Sequence, residues 1–266
     1  MFKKFLLLFL VIASLSSCKT EYEKIRASND PVVILKAANK NYDKGEWYTA
    51  QTLYELAIPF YRGKKEAEDL FYKFAYTHFN LNEYILSAHY FKTFSTSFYN
   101  SPLREECDFM SAFSNYKMSP SYKLDQSHSQ KAIDAFQNFV NTYPTSDRVA
   151  KCNEYIDEIR AKMELKAFDQ GLLYYNMKQY NSAIYSFESM LKDFPSSKKG
   201  EEVRYLMIKA AYDFAINSVY EKKTERFEAV LNDLTKFNKK YPKSKYRKEL
   251  KDIKKDSQSK YNKYKS

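Results

Sequence analysis

The sequence predicts an all-α fold, a superhelical stack of about five helix hairpins, and three observations carry that expectation. Gly numbers only 4 and Pro only 7 in 266 residues, too few for a chain dominated by turns. No stretch sustains period-two alternation, whereas helical apolar spacing runs from Asp30 nearly to the C-terminus. One motif recurs in phase along that stretch: a small residue, three residues, an aromatic, two residues, an apolar residue.

The elements follow in chain order. Lys3 and Lys4 precede an unbroken apolar run, Phe5 to Ala13, and then Leu15-Ser16-Ser17-Cys18. A positive end, a short apolar stretch and small residues make a secretory signal, residues 1–17. The run is too short to span a bilayer, which takes roughly 20 apolar residues. Leu-Ser-Ser-Cys resembles the bacterial lipobox, which makes Cys18 the expected site of acylation, palmitate included, and so a stable anchor. Residues 18–29 read as a polar tether. Asp30-Pro31 then reads as an N-cap and first helical residue.

The motif occurs as Ala50, Tyr54, Ala57; as Ser87, Phe91, Phe94; as Ala132, Phe136, Phe139; and as Ala183, Phe187, Met190. A weaker fifth unit has Val230, Leu234 and Phe237. Each is preceded by a turn and by another amphipathic helix with a small residue, in order Ala38, Ala75, Ala112, Gly171 and Ala210-Ala211. Antiparallel helices cross closely only where small residues meet, and a bulky residue then fills the groove between neighbouring hairpins. Closing signals agree: Tyr143-Pro144-Thr145-Ser146, Phe194-Pro195-Ser196-Ser197 and Tyr241-Pro242-Lys243-Ser244, with Phe98-Tyr99-Asn100-Ser101 as a version without the Pro. Pro stops one helix and the Ser can cap the next. This pattern, over about 30–242, resembles the tetratricopeptide repeats.

Further details resemble the BamD (YfiO) family of outer-membrane assembly lipoproteins. They are Lys44-Gly45-Glu46-Trp47 with Ala50, the third-repeat insertion around Ser119-Pro120 ending in Gln130 to Phe136, and Ala183 to Glu188 running on to Phe194-Pro195. The uninterrupted stretch Arg148 to Lys178 is another, reading as one helix of about 45 Å. The resemblance implies a lipid-anchored subunit at the outer membrane, its body facing the periplasm. It implies two partners, the barrel-forming assembly protein and unfolded outer-membrane proteins. The repeats from Arg148 to Pro242 would dock the first, and the N-terminal repeats would face the second. Lys19 after Cys18 is not the Asp that retains some lipoproteins in the inner membrane. A competing reading is an adaptor for peptidoglycan or cell-division proteins. Starch-binding lipoproteins with such repeats are much longer chains.

Catalytic signatures are missing. His78, His89 and His128 have no metal spacing, and there is no phosphate loop or nucleophile elbow. His78 reads as a packing residue, and Glu105-Glu106 and Glu201-Glu202 suit helix starts. Cys107 and Cys152 read as buried thiols, although the periplasm permits a bridge. No enzyme, cofactor or metal is expected.

Charge is placed unevenly. Of the net +11, residues 243–266 contribute ten cations against three acids and Lys3 and Lys4 add two, so the remainder is near neutral. A nucleic-acid binder more often spreads basic charge over a face of the fold, and none is expected as a partner. The tail 243–266 reads as a short helix around Tyr246, Leu250 and Ile253, then disorder after Asp256. It is either a solvated end or a contact for anionic lipid or an acidic partner.

The first helix of each repeat offers one last reading. Residues six and three before its small residue, and one and four after it, share a face, since they lie three or four residues apart. They give Val32, Leu35, Asn39 and Tyr42; Asp69, Tyr72, Tyr76 and Phe79; Glu106, Phe109, Phe113 and Tyr116; Leu165, Phe168, Leu172 and Tyr175. Nine of these sixteen are aromatic, against 17% for the chain. Either they are ordinary core, or they line a groove for an extended peptide rich in aromatics, since Tyr and Phe give contact area at low ordering cost.

Overall fold

A computed structural model describes residues 21–265. The signal peptide and the acylation site expected at Cys18 lie outside the described residues. Twelve helices and no strand occur among those residues. They are α1 (Glu21–Ser28), α2 (Pro31–Asp43), α3 (Trp47–Tyr61), α4 (Ala67–Asn80), α5 (Tyr84–Ser97), α6 (Arg104–Lys117), α7 (Ser127–Thr142), α8 (Val149–Asn176), α9 (Tyr180–Asp193), α10 (Gly200–Ile216), α11 (Tyr220–Lys240) and α12 (Arg247–Lys265). The chain falls into two units. Unit 1 holds residues up to Pro120 and Asp125–Asp157, and unit 2 holds Ser121–Leu124 and Glu158 onward. Helix α8 runs without a break through the division, as the sequence predicts for 148–178.

Burial follows the repeat motif. Every motif residue from Ala50 to Phe237 is at most 2 % exposed, and Ala38, Ala75, Ala112 and Ala210 of the first helices are at 0 %. Tyr54 shares a core cluster with Ala38, Phe91 with Ala75 and Phe187 with Ala210, and the Phe187 ring also lies against Gly171. At about 25 cal/mol per Å² and 150–250 Å² each, such rings supply several kcal/mol apiece before the entropy of ordering is set against them.

The turns inside hairpins one, two and four share one backbone. Gly45, Asn82 and Lys178 all take positive φ, at 74°, 61° and 59°. The following amide reaches back five residues in each, as Glu46 N to Asn41 O, Glu83 N to His78 O and Gln179 N to Tyr174 O. This is the Schellman arrangement, which satisfies carbonyls at the helix end. Gly and Asn suit a left-handed position, whereas Lys178 is strained there.

The closing signals share another. Phe98, Tyr143, Phe194 and Tyr241 each donate their backbone N–H to the carbonyl four residues back, at 2.8 Å. The Ser that follows closes a turn and does not cap the next helix as the sequence suggests: Ser101 accepts from Leu103 N, Ser146 from Arg148 N, Ser197 from Lys199 N and Ser244 from Tyr246 N, each the amide just ahead of the first helical residue. Three of these hydroxyls also donate to a glutamate of a first helix, Ser101 to Glu68 and Ser146 to Glu105 at the helix start, and Ser197 to Glu164 midway along α8. Each loop is thereby tied to the hairpin before it.

Two further expectations are corrected. Residues 21–28 of the expected tether are helical, because Tyr22 and Ile25 pack on the first core cluster. The tail does not end its helix near Asp256. Helix α12 continues to Lys265, with Leu250, Ile253 and Ser257 buried and Tyr261 and Tyr264 packed against the same core as Phe227.

Candidate functional site

In unit 1 the first helices bring their aromatic residues into a row of half-buried rings. Tyr42 on α2 lies edge-on to Trp47 at 5.2 Å and to Tyr54 at 6.2 Å. On α4, Tyr72 and Tyr76 meet at 4.9 Å, and Tyr76 also touches Phe91 at 4.9 Å. Phe79 continues the row to Phe113 of α6 at 5.8 Å. Phe113 stacks on Phe109 at 5.9 Å and on Tyr116 at 5.8 Å. These seven rings are neither sealed in the core nor free in solvent.

Charged groups run beside the rings. Tyr76 Oη donates to Glu106 at 2.5 Å, and Glu106 also pairs with Arg148, whose guanidinium covers Phe109 at 4.7 Å. Lys73 donates to Asp69 at 2.8 Å and to Asn39 at 3.2 Å, and Tyr54 Oη also donates to Asn39. Burial, with Tyr72 and Asp69 nearby, pushes Tyr42 up to about 12. Burial and the Glu106 acceptor hold Tyr76 far above the ordinary phenol range. These phenols are therefore neutral, with Tyr76 Oη already committed.

Unit 2 treats its two residues differently. Phe168 is 6 % exposed, packed 6.3 Å from Phe187 with Lys199 Nζ 4.2 Å over its ring. It is a core residue and offers no groove surface. Tyr175 is half-buried and donates to Asp213 at 2.8 Å, and burial with that acceptor pushes it up to about 12. The nine aromatics thus divide seven and two between the units.

Sequence reasoning missed Tyr155 of α8, which lies 4.4 Å from Tyr116 and 5.5 Å from Phe113. The repeat register was counted from Gly171, and the N-terminal half of α8, which packs on the third repeat, falls outside that count. It also missed Glu106 as an acceptor, because an acidic pair at a helix start has a sufficient local reason.

The other reactive groups are held in packing roles. Cys107 and Cys152 are free and buried, and burial pushes the Cys152 thiol up to about 11, against thiolate formation. His78 is 5 % exposed, 2.6 Å from Glu83 and stacked on Tyr90 at 4.7 Å. Burial lowers its pKa, and the opposing pull of Glu83 is weaker because that carboxylate is 42 % exposed and screened. Among the described residues no group of three or more His, Cys, Asp or Glu is placed to hold a metal, and no helix is long and apolar enough to cross a membrane.

Paired helices with small crossing residues, Schellman turns and Ser-bonded closing loops define a helix-hairpin repeat protein of the tetratricopeptide type. The YfiO family, described as outer membrane lipoprotein, matches residues 27–169 and 169–257, and the chain belongs to that family. Two solved structures are similar in part. A TPR repeats protein from Bacteroides fragilis is 14% identical, covering 87% of this chain and 99% of that one, with a TM-score of 0.38. The MamA protein is 14% identical, covering 81% and 95%, with a TM-score of 0.32. Among curated proteins none matches this chain.

Proposed function

We propose that the chain is a scaffold and substrate-recognition subunit of the machinery that assembles outer-membrane β-barrels. It is anchored by acyl chains on Cys18, faces the periplasm, catalyses no reaction, and binds the barrel-forming assembly protein and unfolded outer-membrane proteins. Membership of an outer membrane lipoprotein family supports the setting. The observation that carries substrate recognition is the row of half-buried rings on α4 and α6, Tyr72, Tyr76, Phe79, Phe109, Phe113 and Tyr116. A barrel strand alternates apolar and polar residues and carries aromatics at the membrane interfaces. Such a strand, still unfolded, can lay its rings on this row while its backbone meets phenol hydroxyls and the Asp69, Lys73 and Glu106 side chains.

The test is Tyr72→Ala with Tyr76→Ala in the full chain in detergent. Binding of a peptide copied from the C-terminal strand of an outer-membrane barrel is measured beside the melting temperature. Loss of two aromatic anchors is expected to weaken binding at least about tenfold. Tyr76→Phe, which keeps the ring but not the bond to Glu106, is expected to bind nearly as the parent does. Unchanged affinity with intact folding sinks the recognition role, and a collapse in melting temperature assigns the rings to the core.

A further inference from the structure

The basic C-terminal segment is ordered, and its charges are sorted. Glu249 accepts from Tyr205 Oη at 2.5 Å and Lys209 Nζ at 3.0 Å. Asp256 accepts from Tyr212 Oη at 2.6 Å and Lys260 Nζ at 2.8 Å. Two of the three carboxylates of α12 are thus engaged on the side that meets α10. At about 100° per residue, Arg247, Lys248, Lys251, Lys254 and Lys255 share an arc of roughly 120° that holds no acid. All five are exposed. Among the described residues none of them pairs with a carboxylate.

A cavity of about 410 Å³ opens on this arc, lined by Asn238, Pro242, Arg247, Leu250, Lys251 and Lys254. Its lining has three cations, one amide and no carboxylate. Arg247 Nη1 is held against the Pro242 carbonyl at 3.4 Å, which orients the guanidinium at the mouth. Arg247 to Lys254 spans about 10 Å of helix at 1.5 Å per residue, longer than one small anion needs. Leu250 gives the cavity an apolar floor.

We propose that this cavity binds the phosphodiester headgroup of an anionic phospholipid, so that the basic face of α12 lies on a membrane surface. Cations near such a surface attract anionic lipid individually, and the attraction decays within a Debye length. Nucleic acid fits the face less well, because single strands need free aromatic platforms. The tyrosines here are committed inward: Tyr246 stacks on Tyr205 at 3.9 Å and Tyr264 on Phe227 at 6.1 Å. The inference does not rest on the assembly role, and it gives the chain a membrane contact besides Cys18.

The test uses the full chain in nanodiscs of phosphatidylcholine, alone or with roughly 30% phosphatidylglycerol. Acetylation of each lysine is read by mass spectrometry, with exposed Lys36 and Lys65 as internal references. Labelling of Lys251 and Lys254 is expected to fall about fivefold in the anionic discs and to return in high salt. In the Arg247→Glu, Lys251→Glu, Lys254→Glu variant, Lys255 is expected to label equally in both discs, with unchanged circular dichroism. Equal labelling of the parent in both discs overturns the proposal. So does equal protection in zwitterionic discs by inorganic phosphate, which assigns the cavity to a soluble anion. Protection there by polyglutamate alone assigns the face to an acidic protein and overturns it as well.

Discussion

Replacing Gly171 by Ala separates the packing account of the repeats from a purely local one. Gly171 lies within α8, where Ala is favoured over Gly by about 1 kcal/mol on helix propensity alone. Its position in the crossing says the opposite. A Cβ at Gly171 would stand 2.3 Å from Phe187 Cε1, 2.5 Å from Cδ1 and 2.8 Å from Cζ. Carbon atoms pack at about 3.5–4.0 Å, so the ring would have to withdraw by about 1 Å. Phe187 is fully buried, with Ala183, Met190 and Val203 in the same cluster. Overpacking of this kind costs about 1–3 kcal/mol, which matches or outweighs the propensity gain. Set against the propensity gain, the expected net loss is up to about 2 kcal/mol, a fall in Tm of up to about 8 °C for a chain of this size. Thermal unfolding by circular dichroism reads it. Phe187→Leu removes the obstructing ring, so Gly171→Ala is expected to be neutral or stabilising in that background. A Gly171→Ala variant more stable than the parent refutes the reasoning.

Three further expectations concern loops and anchor. Ser197→Ala removes the turn bond from Lys199 N and the bond to Glu164, and should cost about 1–2 kcal/mol by chemical denaturation, while exposed Ser196→Ala stays near neutral. Lys178→Gly relieves a left-handed Lys and should stabilise by about 0.5–1 kcal/mol, whereas Gly45→Ala at the equivalent turn should destabilise, and matching signs would contradict the shared turn. Cys18→Ala should leave the detergent-rich phase in a phase-separation assay, and a variant still bound to outer membranes after a high-salt wash would contradict the anchor.

The repeat architecture was readable because it rests on residue size. Ala50, Tyr54 and Ala57 announce a crossing through volume alone, and every such position proved buried. Features that rest on tertiary partners were not readable. Glu68, Glu105 and Glu164 each accept a hydrogen bond from a Ser 33 or 41 residues away, yet Glu68 and Glu105 at helix starts already have the dipole as their reason, and nothing in the sequence around Glu164 points to Ser197. The length of α12 was hidden by its lysines. Ser257 interrupts the apolar stripe of Tyr246, Leu250 and Ile253, and the reading stopped there. In the fold Ser257 is a small buried residue, and Tyr261 and Tyr264 resume the stripe beyond it. Half of the aromatic-face reading depended on register. Counting from the small residue found the rings of α4 and α6, placed Phe168 on a face that unit 2 buries, and passed over Tyr155.

The assembly role is tested most directly by what remains attached to the protein after mild detergent extraction of outer membranes. The full chain, carrying a C-terminal affinity tag, is captured and its companions are identified by mass spectrometry. The expected result is stoichiometric recovery of a barrel-forming outer-membrane assembly protein. Its absence, with a peptidoglycan hydrolase or a cell-division protein recovered instead, would contradict the account and assign these repeats to an envelope adaptor.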